Sequence, residues 1–319
     1  MPSNLVRCSD DEEYSLLDSL LKKSRSLPEN VCVYQNQVGG HGALGNKHGV
    51  LYSKELGIVY KPIQHFPKGF HEVDLYERVF NSSRGDEKLS VLRQFMPRYD
   101  GLCCDASGKN SYICMEDILA DLKRPAICDI KVGRITYTPD ATPEKISVEK
   151  SKYKWQEEIG FSVTGIKVYD SATGEDVYVD KTHCRTLDPS NIYEHGIRLF
   201  LCKDIARARR LASSFVKSLS ELCRWFEIQR EIAFYSSSLL LAYDSVDDND
   251  PLNSAGELDR SEPVRVHLID FTRWRSSSGE KDENFLYGLR NVIELFRQAS
   301  AETKPLSVSP KTVISSAVL

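Results

Sequence analysis

The segment Pro125-Ala-Ile-Cys-Asp129-Ile-Lys131-Val-Gly133 is the most informative stretch of this 319-residue sequence. Asp129 and Lys131 are two residues apart, so on an extended strand both side chains project from one face. The isoleucine and the valine that follow them would then be buried on the opposite face, and the glycine permits a close approach of another backbone segment. A surface ion pair is the usual explanation of a D-x-K pair. The apolar neighbours instead favour a strand whose polar face meets a phosphate-bearing ligand.

Two other carboxylates and a lysine extend this group of candidate residues. Val266-His-Leu-Ile-Asp270-Phe271 is an apolar strand that ends in a carboxylate, a hard oxygen ligand suited to magnesium on nucleotide phosphates. Lys61 lies in a predicted strand and Glu72 near the start of a predicted helix, which is the arrangement that orients a kinase lysine on nucleotide phosphates. Each pattern alone has a common alternative, a turn or N-cap aspartate in the first case and a surface ion pair in the second.

The hydrophobic pattern divides the chain into a smaller and a larger part. In the smaller part it predicts a hairpin at 50–61, a helix after Gly69, a loop at 81–90, and strands at 91–99 and 112–116 around a turn at 101–110. In the larger part it predicts a hairpin at 161–179 and a long helix with Leu211, Phe215, Leu219, Leu222 and Phe226 on one face. It also predicts strands at 238–242 and 264–270, which a flexible acidic loop at 245–263 joins, and a helix at 285–296. We therefore predict an α+β fold with an N-terminal arm at 1–30, lobes at 31–118 and 119–300, and a tail at 301–319.

The composition restricts the classes of function. Lys+Arg 42 against Asp+Glu 46 gives a formal net charge of −4, so no global basic field indicates nucleic acid, and a site for a polyanion must be local. No apolar run approaches the roughly 20 residues that cross a bilayer, so stable membrane insertion is not expected. The nine cysteines have no metal-ligand spacing, which indicates reduced thiols and a location in the cytoplasm or the nucleus. We expect a monomer.

Taken together, these strings resemble the inositol polyphosphate kinase family. Residues 125–133 match its signature P-x-x-x-D-x-K-x-G at every fixed position. The resemblance continues, in order, through Ser151-Lys152-Tyr153, Glu157-Glu158-Ile159-Gly160-Phe161, Ser237-Ser238-Leu239-Leu240 and Ile269-Asp270-Phe271, and spans about residues 38–298. It implies a two-lobed, protein-kinase-like (ATP-grasp) inositol polyphosphate kinase fold, with ATP between the lobes, Mg²⁺ as cofactor, and a soluble inositol phosphate on the C-terminal lobe.

The resemblance also implies a role for each candidate residue. Asp129 would contact the nucleotide ribose or the attacking hydroxyl, Lys131 would stabilise the transferring phosphoryl group, and Asp270 would hold magnesium. The other implied nucleotide contacts are Lys61 at the ATP phosphates, Glu116, Asp117 and Ile118 at the adenine hinge, and a glycine loop of Gly39, Gly40 and Gly42 around His41. The candidates for substrate phosphates are Lys68, Lys145, Lys152 and Lys167, for each of which a solvated surface lysine is the alternative.

Within the family, the short passage at 140–160 resembles the multikinase branch. It has no room for the long helical insertion of the trisphosphate 3-kinases, and it differs from the hexakisphosphate kinase segment. The expected reaction is therefore phosphorylation of inositol tris- and tetrakisphosphates toward the pentakisphosphate. Three positions depart from the multikinase pattern, Arg273, Val148 and Glu149, and they leave the substrate preference open.

Several alternatives compete with this interpretation. A protein kinase would need an H-R-D-x-x-x-x-N loop and a D-F-G motif, which the sequence lacks. A trisphosphate 3-kinase or a hexakisphosphate kinase belongs to the same family, and an open site could phosphorylate a phosphoinositide headgroup as a side activity. A non-catalytic scaffold would have no chemical need to keep Asp129, Lys131 and Asp270 together.

Overall fold

The first of two large β-sheets is built from the N-terminal part of the chain in the computed structural model, which describes residues 10–39, 49–81, 86–170, 173–246 and 261–304. Its strands are β1 (Arg25–Ser26), β2 (Cys32–Val33), β3 (Leu51–Ser53), β4 (Ile58–Pro62), β5 (Tyr99–Cys104) and β6 (Ser111–Glu116). They lie in the order β1-β5-β6-β4-β3-β2, and every pair is antiparallel except β1 with β5. The predicted hairpin at 50–61 is thus β3 and β4, and Gly57 takes a positive φ of 62° in its turn.

The second sheet is built from the C-terminal part. The remaining strands are β7 (Pro125–Val132), β8 (Phe161–Asp170), β9 (Glu175–Val179), β10 (Ile232–Phe234), β11 (Ser238–Asp244), β12 (Val264–Ile269) and β13 (Trp274–Ser276). Five of them form an antiparallel sheet in the order β12-β11-β7-β8-β9, and β10 pairs with β13. The strand with the D-x-K pair, β7, is therefore central, with Ile130 and Val132 fully buried.

Helices cover both sheets. They are α1 (Asp10–Leu21), α2 (Lys68–Phe80), α3 (Pro143–Lys152), α4 (Gln156–Ile159), α5 (Lys181–Cys184), α6 (Ile205–Ile228) and α7 (Glu283–Ala301), with a 3-10 helix at Glu87–Gln94 and a π-helical segment at Tyr193–Arg198. The stripe predicted on the long helix lies on α6, where all five of its residues are fully buried. The ring of Phe226 in this stripe stacks on Phe285 of α7 with centroids 4.4 Å apart.

The prediction of a strand at 91–99 is wrong. The 3-10 helix extends into its first four residues, 91–94, and β5 begins only at Tyr99. Leu89 and Leu92 are both buried, and their three-residue spacing matches the period of a 3-10 helix, whereas a strand would place every second residue on one face. The turn predicted at 101–110 also starts later, at Asp105, whose side chain accepts hydrogen bonds from the backbone of Ser107 and Lys109 at 3.1 Å.

The segment that we described as an N-terminal arm contributes to the first sheet. It carries α1, where Leu17 is buried, and β1, which adds an edge strand beside β5. Residues 1–9 lie outside the described residues, as do most of the loop predicted at 245–263 and the tail from residue 305. Within the described part of the chain, no helix is long and apolar enough to cross a membrane.

One large hydrophobic core joins the two lobes behind the cleft between them. The ring of Tyr76 on α2 packs edge-on against Phe271 just after β12, with centroids 5.5 Å apart. Trp274 Nε1 donates to the carbonyl of His71 at 2.7 Å, which ties β13 to the same helix. This packing holds the end of β12, and hence Asp270, against β4 and α2 of the other lobe.

Candidate active site

Lys61 joins the two lobes at the back of the cleft. Its ammonium donates to Glu72 Oε1 at 2.7 Å and to Asp270 Oδ1, so a residue of β4 binds one carboxylate from each lobe. Glu72 is buried, and its Oε1 also accepts from the backbone N–H of Phe271 at 3.1 Å. Burial disfavours the charged lysine, yet the two carboxylates outweigh that cost and raise its pKa. The predicted Lys61–Glu72 pair is therefore present, and it also includes Asp270.

Asp270 has a backbone conformation that is unusual for a residue other than glycine. It follows β12 with a φ of 64°, in the left-handed region that aspartate tolerates better than most side chains. Burial favours its neutral form, but Lys61 and Lys131 more than offset this effect and lower the pKa of the carboxyl. The side chain is thus held ionised at a bend that directs it into the cleft.

Asp129 occupies the centre of β7 and is only 4 % exposed. Opposite it, the register of β8 shifts so that Thr164 is an extra residue, and the Thr164 hydroxyl donates to the backbone carbonyl of Asp129 at 3.2 Å. Burial and the nearby charge of Asp270 raise the pKa of the Asp129 carboxyl. Its Oδ1 atom is buried and has no hydrogen-bond partner among the described residues, so its capacity to accept a hydrogen bond is unused.

Lys131 is held by a second residue with a left-handed backbone. Its ammonium donates to the carbonyl of Ser236 at 2.7 Å and to the Ser236 hydroxyl at 2.8 Å, and Ser236 has a φ of 70°. Burial lowers the pKa of Lys131 although Asp270 and Asp129 oppose the shift. An ammonium has three N–H donors, so one is left for a phosphate.

A chain segment at 34–39 crosses from the first sheet to the second and covers Asp129. The Tyr34 hydroxyl donates to Asp117 Oδ1 at 2.5 Å at one end, and Gly39 lies on the carboxylate of Asp129 at the other. A Cβ at Gly39 would come within 1.9 Å of Asp129 Oδ2, so only glycine fits there. The other members of the predicted glycine loop, at 40–42, lie outside the described residues.

The predicted hinge residues lie where β6 leads into the second lobe. Glu116 Oε1 accepts from the backbone N–H of Arg98 at 2.9 Å, and Asp117 Oδ1 accepts from that of Leu119 at 3.0 Å. Ile118 belongs to an apolar cluster together with Val38 and Leu240, all three partly exposed. Leu240 on β11 is paired with Asp129 on β7, so the cluster lies beside the candidate catalytic strand. It provides an apolar surface on which the planar base of a nucleotide could pack.

A basic cavity of about 130 Å³ opens beside Lys131. Three other cationic side chains line it, Lys152 from α3 together with Lys181 and Arg185 at α5. Because Lys131 also interacts with the charges of Asp270 and Asp129, the cavity lies beside the group that these carboxylates form with Lys61.

The side chains at one wall of the cavity gather around Glu149, which is buried. Its carboxylate accepts from Lys145 at 2.8 Å, from Lys152 at 2.7 Å and from Arg273 at 3.0 Å. Burial opposes ionisation, yet these cations lower the pKa of Glu149 to about 2. Burial and the nearby charges of Arg273 and Lys145 lower the pKa of Lys68. Three of the four predicted substrate lysines are therefore together, and two positions that depart from the multikinase pattern bind each other.

Lys167 is the predicted substrate residue that the structure places elsewhere. Its ammonium is paired with Asp176 at 3.0 Å and with Asn36 Oδ1 at 3.0 Å, and the side chain does not line the basic cavity. Lys167 lies two residues from Gly165 along β8, on the face that the 34–39 segment covers, since a Cβ at Gly165 would meet the carbonyl of Val38. This placement does not support the predicted phosphate contact, and the lysine anchors the covering segment instead.

Two basic residues of the cavity, Lys181 and Arg185, were missed from the sequence. They are four residues apart after Asp180, which caps α5 by accepting from the backbone N–H of His183 at 2.8 Å. The aspartate cap followed by cations at helical spacing was the available signal. Ser236, which holds Lys131, offers no comparable signal because its role depends on its backbone conformation.

A magnesium ion bound with nucleotide phosphates is the group that the resemblance implies here. One or two carboxylates usually bind Mg²⁺ in such sites, and phosphates and waters complete its shell. The cleft provides the ionised Asp270 and the unpartnered oxygen of Asp129, whereas no group of three or more His, Cys, Asp or Glu side chains in the described part of the chain could hold a metal alone. These donors fit Mg²⁺ that arrives with a nucleotide.

Comparisons with known proteins point to one family. The family model described as inositol polyphosphate kinase matches residues 112–297. The inositol polyphosphate multikinase of Homo sapiens is 32% identical over 217 residues, which cover 67% of this chain and 52% of that protein. The inositol polyphosphate multikinase IPK2 of Oryza sativa subsp. indica is 29% identical over 288 residues, which cover 84% of this chain and 94% of that protein. The chain spans about half the length of the mammalian relatives it matches.

A solved structure is similar in fold. The inositol phosphate multikinase Ipk2 from S. cerevisiae, in complex with ADP and Mn²⁺, superposes with a TM-score of 0.58 at 24% sequence identity, covering 76% of this chain and 98% of that one. The predicted α+β, two-lobed kinase-like fold is thereby confirmed.

Proposed function

This chain belongs to the inositol polyphosphate kinase family, and we propose that it transfers the γ-phosphoryl group of ATP to a hydroxyl of a soluble inositol polyphosphate. The observation that carries the proposal is the position of Lys131. This lysine lies on the same strand as Asp129, interacts electrostatically with Asp270, and lines the basic cavity. A phosphoryl group beside Lys131 would therefore be within reach of a polyanionic acceptor in the cavity.

We assign each role from the contacts of the side chain. Lys61 neutralises the nucleotide phosphates and is aimed by Glu72, while the partly exposed apolar cluster with Ile118 receives the adenine. Asp129 contacts the ribose or the attacking hydroxyl with its unpartnered oxygen, and Asp270 would hold Mg²⁺, which supplies electrostatic stabilisation of the phosphates when bound. Lys131 stabilises the charge of the transferring group.

The substrate class follows from the charges that line the cavity. Lys152, Lys181 and Arg185 converge there with Lys131, and a compact acceptor that carries several phosphates would satisfy them together. A protein substrate would bring one hydroxyl and few charges. The relatives that are named as multikinases support the multikinase branch, in which tris- and tetrakisphosphates are phosphorylated toward the pentakisphosphate. A location in the cytoplasm or the nucleus and a monomeric state stay predictions.

A substrate panel tests the proposal. The purified chain would be incubated with ATP, Mg²⁺ and each of a set of inositol tris-, tetrakis- and pentakisphosphates, and the product isomers would be separated. A short-chain phosphoinositide and a protein substrate serve as competing acceptors. We expect the soluble tris- and tetrakisphosphates to give the highest kcat/KM. Turnover with none of the inositol phosphates would refute the proposal and favour a non-catalytic scaffold.

A further inference from the structure

Glu149 is the one carboxylate among the described residues that line the basic cavity. It belongs to α3 and is 5 % exposed, so water screens its charge little. A cavity built to receive phosphates would bind them more tightly without a buried negative charge in its wall. The presence of Glu149 therefore needs an explanation beyond charge attraction to the substrate.

The contacts of Glu149 are those expected of a bound phosphate. Oε1 receives donors from Lys145 at 2.8 Å and Arg273 at 3.0 Å, and Oε2 receives Lys152 at 2.7 Å and the Thr136 hydroxyl at 3.5 Å. Two lysines and an arginine that converge on two anionic oxygens form a charge-assisted anion site. Arg273 has a second anchor, since its Nη1 donates to the carbonyl of Thr136 at 2.6 Å.

We propose that Glu149 is a specificity-determining residue whose carboxylate occupies one phosphate position in the substrate cavity. The inference rests on the proposed function. A ring hydroxyl can donate a hydrogen bond to Glu149, whereas a phosphate at that position meets a like charge. The preferred substrate accordingly places its phosphates toward Lys131, Lys181 and Arg185 and a free hydroxyl toward Glu149.

The test is the binding of two probes by calorimetry in the absence of ATP. Inositol hexakisphosphate has a phosphate at every ring position and must place one beside Glu149, while inositol 1,4,5-trisphosphate can turn a hydroxyl toward it. Because the charge is buried and close to the ligand, we expect Glu149→Gln to lower the Kd of the hexakisphosphate by about tenfold or more, and that of the trisphosphate by much less.

The direction of the change in Kd shows whether Glu149 acts on the ligand through its charge or only holds neighbouring cations in place. If Glu149 only held its three cations in place, removing either partner of the Glu149–Arg273 pair would weaken binding. The proposal instead predicts opposite signs: Glu149→Gln tightens the hexakisphosphate, Arg273→Gln weakens it, and the double variant returns close to the wild-type Kd because the net charge is restored. Glu157→Gln is the matched control, since Glu157 of α4 pairs with Lys150 of α3 but is exposed and does not line the cavity.

Weaker binding of both probes by Glu149→Gln, or an unchanged ratio of their Kd values, would overturn the inference. Should that variant fail to fold, Arg273→Gln carries the test, because the proposal predicts a larger loss for the hexakisphosphate than for the trisphosphate, and equal losses would refute it. Wild-type protein that binds neither probe would instead refute the proposed function, so the two failures are distinguishable.

Discussion

Glu72→Gln tests whether the buried ion pair behind the cleft aims Lys61 at the nucleotide. The substitution keeps the side-chain volume and removes the negative charge from a charge-assisted hydrogen bond of 2.7 Å, at a carboxylate that is only 1 % exposed. Such a bond contributes about 1.5–3 kcal/mol, so the free energy of unfolding should fall by that amount. Lys61 then keeps Asp270 as its one ionised partner of the two, so we expect the ammonium to shift toward the carboxylate that we assign to magnesium.

The catalytic consequence should be of the same size. A loss of about 1.5–3 kcal/mol in the transition state corresponds to a decrease of roughly 10- to 150-fold in kcat/KM for ATP, and the Mg²⁺ concentration for half-maximal rate should rise. Steady-state kinetics over a magnesium series would measure both values, and urea unfolding would measure stability.

Glu77→Gln is the matched control for that experiment. Glu77 is also a buried glutamate of α2, but its carboxylate accepts from Tyr99 and Asn81, each at 2.8 Å, away from Lys61. This variant should lose stability to a similar degree and keep kcat/KM once folded. If Glu72→Gln and Glu77→Gln had the same kcat/KM and the same magnesium dependence, the assigned role of the Lys61–Glu72 pair would be refuted.

Two other predictions follow from the electrostatics of the cleft and the placement of the lysines. Burial and the charge of Asp270 raise the pKa of Asp129 in the folded protein. Ionisation of Asp129 therefore destabilises the fold at pH values above its folded-state pKa and has no effect below its unfolded-state pKa. Asp129→Asn should abolish activity because it removes the carboxylate, yet it should raise the melting temperature at neutral pH, and this gain should fade in acid. A lower melting temperature at neutral pH would contradict this reasoning. Lys152→Met should raise the KM for inositol phosphate far more than for ATP, whereas Lys167→Met should not show that selectivity because its ammonium is paired with Asp176 outside the cavity. Equal effects of the two lysine variants on the inositol phosphate KM would show that the cavity is misplaced.

Features that depend on short sequence distances were predicted well. The stripe on α6 needs only the helical period, and the shared face of Asp129 and Lys131 needs only the period of a strand. The Lys61–Glu72 pair could be proposed because both residues lie near the ends of consecutive elements. In each case the partner positions are set by one element or by two adjacent ones.

Features that depend on distant pairing were not predictable from the pattern. The side of the sheet on which Lys167 lies depends on the pairing of β8 and on its shift beside Asp129, which no single segment encodes. Lys181 reaches the cavity only because β9 returns beside β8. The 3-10 helix was read as a strand because short apolar runs fit both elements, and burial of Leu89 and Leu92 decides between them.

The central claim is that phosphoryl transfer occurs at the junction of Asp270, Lys131 and the basic cavity. Single-turnover transfer of the γ-phosphoryl group from labelled ATP to an inositol tetrakisphosphate, measured in Mg²⁺ for the wild type and for Asp270→Asn, tests it most directly. We predict labelled inositol phosphate from the wild type, and a rate lower by about 100-fold or more from the variant, whose fold is checked by its circular dichroism spectrum. Equal transfer rates for the two proteins would contradict the claim.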